Sequence, residues 1–116
     1  MQKPANDLAS RLNIRVAIQQ EVQTDDGAGG FTSTWQAVAT VWAEIRPWSI
    51  GRNDEIFRSM QIEDRNFYRI TIRYMSGVSA KMRVVFGSRL FNIITVVDPD
   101  ARQDSLELYV AEGVAL

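Results

Sequence analysis

The stretch from Met82 to Val110 constrains the fold more than any other part of the chain. Met82–Phe86 (MRVVF) and Arg89–Val97 (RLFNIITVV) are dominated by β-branched and aromatic residues, with Gly87-Ser88 between them. A Gly-Ser pair is a favoured two-residue link between antiparallel strands. After Val97 comes a turn cluster, Asp98–Asp104, and then a third alternating run through Leu106, Leu108 and Val110. Two consecutive hairpins predict an antiparallel meander. Such a meander is a scaffold, and function has to come from what it carries.

The N-terminal half continues the pattern. Ile14, Val16, Ile18 and Val22 alternate with polar or small residues, which predicts a strand with one face inward. Thr24–Gly30 (TDDGAGG) is a glycine-rich turn, and Phe31–Trp35 resumes an extended run, so Ile14–Trp35 reads as a long hairpin. The glycine loop lacks the Gly-Lys-Ser/Thr ending of a phosphate loop and reads as a hairpin tip. Val38–Arg46 is read as a further strand, closed by Pro47, with Trp42 on its polar-sided face. That Trp is either a lid or a cluster with Trp35 or Trp48, or a subunit contact. Phe67–Met75 alternates again, with Tyr68, Ile70, Ile72 and Tyr74 on one face and Arg69, Thr71 and Arg73 on the other.

Two segments depart from strand character. Asn6–Leu12 predicts a short helical turn capped by Asn6 or Asp7. Trp48–Asn66 is too long for a hairpin link, and Asn53-Asp54-Glu55 followed by Ile56, Phe57 and Met60 predicts a short helix within it. The fold expected is all-β in the main. It is one domain over residues 1–116, a small antiparallel β-barrel of six or seven strands, with one short helix in a long inter-strand excursion and residues 1–7 loose.

Composition narrows the chemistry. Cysteine and histidine are both absent, which removes disulfides, thiolate nucleophiles, the commonest general base and the commonest zinc ligands. No enzyme, no metal and no cofactor is expected. Acidic pairs such as Asp25-Asp26 and Asp98/Asp100 lie in turns, where solvated loops are the ordinary explanation. The net charge of −1 argues against a chain that wraps nucleic acid by its phosphates. No apolar run approaches the roughly 20 residues that span a bilayer, and Met1–Asp7 has no signal-peptide character. A soluble protein made in the cytoplasm, with no membrane partner, is the expectation.

The order of the blocks carries a resemblance. Leu12–Ile18 is followed by an Asp-Gly loop and Trp35, then by Val41-Trp-Ala-Glu-Ile-Arg-Pro47 and a Gly51-to-Glu55 helix start. Next come Tyr68-Arg-Ile-Thr-Ile-Arg-Tyr74, Met82-Arg-Val, Gly87-Ser-Arg-Leu-Phe-Asn-Ile-Ile94 and Leu106-Glu-Leu108. Over about Leu8 to Glu112 the chain resembles the head–tail joining proteins of tailed bacteriophages, also called head–tail adaptor or head-closure (stopper) proteins. The resemblance implies a β-barrel subunit in a homo-oligomeric ring, a dodecamer, located in the virion at the head–tail interface and assembled in the host bacterial cytoplasm. It implies a portal or adaptor protein on the head side and a tail terminator or tail-completion protein on the tail side. Double-stranded DNA would pass through the lumen without sequence specificity. The same module occurs in prophages and gene transfer agents.

By the same resemblance, the excursion acts as a channel gate. Its candidate residues are Trp48, Ser49, Ile50, Gly51, Arg52, Asn53, Asp54, Glu55, Arg58, Glu63, Asp64 and Arg65. Ring building needs a heterologous interface. The candidates for subunit or ring–ring contact are Trp42, Glu44, Arg69 and Arg73 on outward strand faces, and Asp25, Asp26 and Gly27 at the hairpin tip. The rival readings are another neck, tail-completion or terminator ring component, and a single-strand-binding barrel of the OB type. The balanced charge speaks against the latter.

Overall fold

The structure is a computed structural model that describes residues 4–48 and 66–113. A short helix, α1 (Pro4–Arg11), leads into β1 (Ile14–Asp25) and β2 (Phe31–Pro47). Then follow β3 (Phe67–Arg73), β4 (Met82–Phe86), β5 (Arg89–Val97), a 3-10 turn at Pro99–Ala101 and β6 (Ser105–Gly113). The strands are hydrogen-bonded in the order β1-β2-β3-β6-β5-β4, and β4 returns to β1, so the six-stranded antiparallel sheet closes into a ring. Closure leaves its central strands without free edges.

The alternation seen in sequence sets the inner face. Ile18, Ile70, Ile72, Val84, Phe91 and Leu108 are fully buried, and they come from β1, β3, β4, β5 and β6. Burial of each such side chain contributes about 1.5–3 kcal/mol. At the β4–β5 hairpin Gly87 takes φ +61 while Ser88 keeps a negative φ, the signature of a two-residue turn with glycine first.

One expectation is revised. Phe31–Trp35 and Val38–Arg46 are not separate strands: β2 is a single strand of 17 residues. The interruption read into Gln36-Ala37 is a β-bulge, where the register with β1 shifts between Ile18 and Gln19 and leaves Val38 without an opposite residue. Among the described residues the strands therefore number six, within the six or seven expected. The helix that the described residues contain is the N-terminal one, as Asn6–Leu12 suggested. The helix expected within the excursion, over residues 53–61, lies outside the described residues.

The registers also fix which connections share an end. Pro47, Phe67, the β4–β5 turn and Gly113 lie at one end of the closed sheet. The β1–β2 hairpin, the β3–β4 connection and the 3-10 turn lie at the other. The chain measures 63 × 33 × 27 Å with a radius of gyration of 16.0 Å, against about 13 Å for a compact chain of this length.

Candidate functional site

The β1–β2 pairing runs past the body of the sheet. On one side β4 accompanies β1 only over Ala17–Gln20. On the other, β3 meets β2 only from Ala43 onward. Beyond those points the two strands continue as a two-stranded ribbon to the tip at Asp25–Phe31. Cross-strand pairs assign its faces, since directly opposed residues share one. The pairs Arg15/Trp42, Glu21/Trp35 and Asp25/Phe31 lie outward. Phe31 is 68%, Trp42 50%, Val38 40% and Trp35 37% exposed. These make an apolar stripe along one strand.

Two arginines sit on that stripe. The Arg15 guanidinium lies 4.8 Å from the Trp42 ring centre, and that of Arg83 lies 4.0 Å from Trp35. Arg83 Nε also donates to Gln19 Oε1 at 2.8 Å, which holds the guanidinium in place. Exposed contacts of this kind are worth about 0.5–1 kcal/mol. The Trp42 ring is thus packed under Arg15, and it forms neither a lid nor a cluster with Trp35 or Trp48. At the root of the ribbon, Thr40, Val41, Trp42, Arg73, Tyr74 and Met75 line an open groove of about 300 Å³.

The tip is satisfied from within. Asp25 Oδ1 accepts from the Gly27 amide at 2.9 Å, and Asp26 Oδ1 accepts from Ala28 and Gly30 at 2.8 and 3.1 Å. These amides hold the Asp26 carboxyl below the usual carboxylate range. Gly27 and Gly29 adopt φ of +79 and +89, which only glycine takes at no steric cost. Of the tip residues named as contacts, Asp25, Asp26 and Gly27 thus first of all build the turn.

Glu44 differs from the outward, solvent-facing residue that its strand position suggested. It is only 7% exposed. Arg11 Nη2 donates to its Oε1 at 2.7 Å, and Arg46 Nε donates to its Oε2 at 2.8 Å. The hydrogen bond from Arg11, then that from Arg46, holds its carboxyl below the usual 4.5, against the opposing effect of burial. The physical reason for the burial is the N-terminal helix: Arg11, in its last turn, reaches the outer face of β2. Glu44 ties α1 to the sheet and is not a free surface charge.

Its neighbour across the sheet, Thr71, is likewise buried rather than solvated, at 3% exposure. Arg69 lies opposite Arg46 on one side and Tyr109 on the other, and its Nε is buried without an acceptor among the described residues. Arg73 is exposed at the end of β3, where it joins the groove beside Trp42. Trp48 packs edge-on against Phe67 and Tyr109, with ring centres 6.2 and 5.2 Å away. The first residue of the expected gate is therefore anchored on the outer face of β3 and β6. Ser49, Ile50, Gly51, Arg52, Asn53, Asp54, Glu55, Arg58, Glu63, Asp64 and Arg65 lie outside the described residues.

At the excursion end, Arg89 closes the interior. It makes a two-pronged pair with Glu112 at 2.9 and 3.0 Å and lies over the rings of Tyr68 and Phe91. The pairing lowers the Glu112 carboxyl from its ordinary value and raises Arg89. Among the described residues no cluster of three or more acidic side chains is placed to hold a metal ion. None of their helices is long and apolar enough to cross a membrane.

The structure brings Trp42 and Arg73 together at the groove and leaves Glu44 in an intrachain ion pair. Sequence reading missed Phe31, Trp35 and Val38 as surface residues. The signal was present: Phe31–Ala43 contains no charged residue although it lies mostly in solvent.

A closed β-scaffold whose exposed feature is a projecting ribbon with an aromatic stripe defines a structural assembly module. The chain belongs to the phage head completion protein family, whose pattern it matches over residues 8–113. It is a non-enzymatic structural component of a phage or gene transfer agent virion, acting in the head–tail region. A protein chain in the virion of a native gene transfer agent particle is similar to it at 26% identity. That match covers 90% of this chain and 98% of the other, with a TM-score of 0.65. Protein SF1141 from Shigella flexneri 2a, a solution structure, is 31% identical over 91% of this chain and 96% of its own, with a TM-score of 0.68. No curated protein matches the sequence.

Proposed function

We propose that the chain forms a ring between the portal or adaptor and the tail, extends and closes the DNA exit channel there, and gives the tail its docking surface. The observation that carries this is the match to a gene transfer agent virion chain across 98% of that chain's length, together with membership of the head completion family. Opposed ends support it. The excursion leaves the closed sheet at Trp48 and returns at Phe67, while the ribbon projects from the far end, so one subunit offers distinct surfaces to two neighbours. In this reading residues 48–66 control passage through the lumen, and the near-neutral net charge suits a conduit that must release DNA.

The test is particle imaging with and without the gene for this chain. Particles that contain it show a ring of its density below the portal. Particles that lack it yield heads that lose DNA and carry no tail. Normal, tailed, DNA-filled particles without the protein would overturn the reading.

A further inference from the structure

We propose that α1 is a strap that docks on the sheet and undocks from it as a unit, fastened by the Glu44 carboxylate, while the closed sheet stays folded. A helix of eight residues is marginal by itself in water, so α1 persists where tertiary contacts hold it. Among its described side chains, Leu8 is half-buried, whereas Ala9, Ser10 and Arg11 are exposed. Little apolar surface of these residues fixes the helix. Leu12, just past its end, is buried at 7% exposure, and β1 begins at Ile14. The chain is thus fixed where α1 stops, and Leu12-Asn13 is the hinge.

The fastening is electrostatic. Arg11 Nε and Nη2 both donate to Glu44 Oε1, at 3.1 and 2.7 Å, and Arg46 Nε donates to Oε2 at 2.8 Å. One carboxylate therefore serves two guanidinium groups, one on the strap and one on the sheet. Such charge-assisted bonds are roughly twice as strong as neutral ones. The Glu44 side chain is 9% exposed, against 41% for Arg11 and 61% for Arg46. The anion is enclosed, and the cations reach it from the solvent side.

The surroundings make docking depend on that charge. On β3, Arg69 lies opposite Arg46, and Thr71, opposite Glu44, is uncharged. On β1, Arg15 lies opposite Trp42 on the same outward side. β6 supplies Glu107, opposite Thr71 and two strand spacings, roughly 10 Å, from β2. Glu107 is engaged there by the Tyr109 hydroxyl, which donates to it at 2.9 Å. With Glu44 neutral, Arg11 and Arg46 face each other with no charged carboxylate between them, and like charges repel. Arg46 belongs to the sheet and Arg11 to the helix, so this repulsion parts the two. Undocking uncovers the Glu44 side of β2, which the docked strap keeps from contact with any other molecule.

The experiment is amide hydrogen exchange by NMR on the full chain, corrected for intrinsic rates, in wild type, Glu44→Gln and Arg11→Gln. It is run in low concentrations of urea and from neutral to acid pH. In wild type the Leu8–Leu12 amides exchange at a rate that low urea leaves unchanged. The Ile70 and Leu108 amides of the closed sheet speed up with urea, as exchange through global unfolding does. Both substitutions speed the α1 amides by about tenfold. Arg11→Gln leaves Glu44 paired with Arg46, so it tests the strap even where Glu44→Gln does not fold. Wild type shows the same acceleration as pH falls below about 4.5, and Glu44→Gln shows no such step. If the α1 amides follow the urea dependence of the strands, helix and sheet open together and the strap is overturned. Unchanged α1 exchange in Arg11→Gln overturns the fastening, and so does a wild-type profile without the acid step.

Discussion

Glu44 shows how one residue's neighbours override its position in a pattern. It alternates outward with Trp42, yet two guanidinium groups and the end of α1 cover it. Because the folded carboxyl titrates below its ordinary 4.5, its contribution is complete above that value and disappears as pH falls through the folded one. Glu112, lowered by Arg89, acts in the same sense. Stability should therefore decline below about pH 4.5. Glu44→Gln should cost about 1–2 kcal/mol at neutral pH and flatten the acid limb of the stability curve, as measured by urea unfolding at a series of pH values. An acid limb as steep as wild type would show that Glu44 does not carry it. Phe91 fills the interior and meets Tyr68 edge-on at 5.4 Å. Phe91→Ala should lose about 3–5 kcal/mol, read from the same unfolding midpoints.

At the scale of elements, the ribbon and the closed sheet divide stability from contact. The fully buried side chains all lie in the closed part; none falls between Glu21 and Gln36. Replacing residues 21–36 by an Asn-Gly turn should therefore change the folding free energy by less than about 1 kcal/mol. Calorimetry checks this, and a collapse of the melting transition would show that the ribbon is part of the core. The β4–β5 and β5–β6 hairpins were legible from the sequence because Gly87 and the Asp98–Asp104 cluster mark their turns. The single length of β2 was not legible, because a bulge at Val38 shifts the alternation by one and mimics a break.

For the whole molecule, the two ends of the closed sheet have different work. In the function proposed, one end bears the excursion and the other the ribbon, so removing the first should leave the second unaffected. Deleting Ser49–Arg65 should give a folded chain, since Trp48 and Phe67 already meet through a backbone hydrogen bond of 3.0 Å. Particles built with it should form the ring and leak DNA, measured as the fraction of full heads. Full heads at the wild-type fraction would remove the gate from residues 49–65.

What the sequence by itself determined is the strand character of nearly every segment, the antiparallel hairpins and the lack of cysteine and histidine chemistry. These depend on local periodicity, turn residues and residue type, which are written in order along the chain. Only the tertiary structure decided where each strand loses its neighbour. That β4 stops at Gln20 and β3 begins at Ala43 is a matter of pairing between segments far apart in sequence. The same pairing turns an uncharged stretch of β2, Phe31–Ala43, with three large aromatics from ordinary core material into an exposed edge. Local pattern says which residues form a strand; only long-range register says which of them are left uncovered.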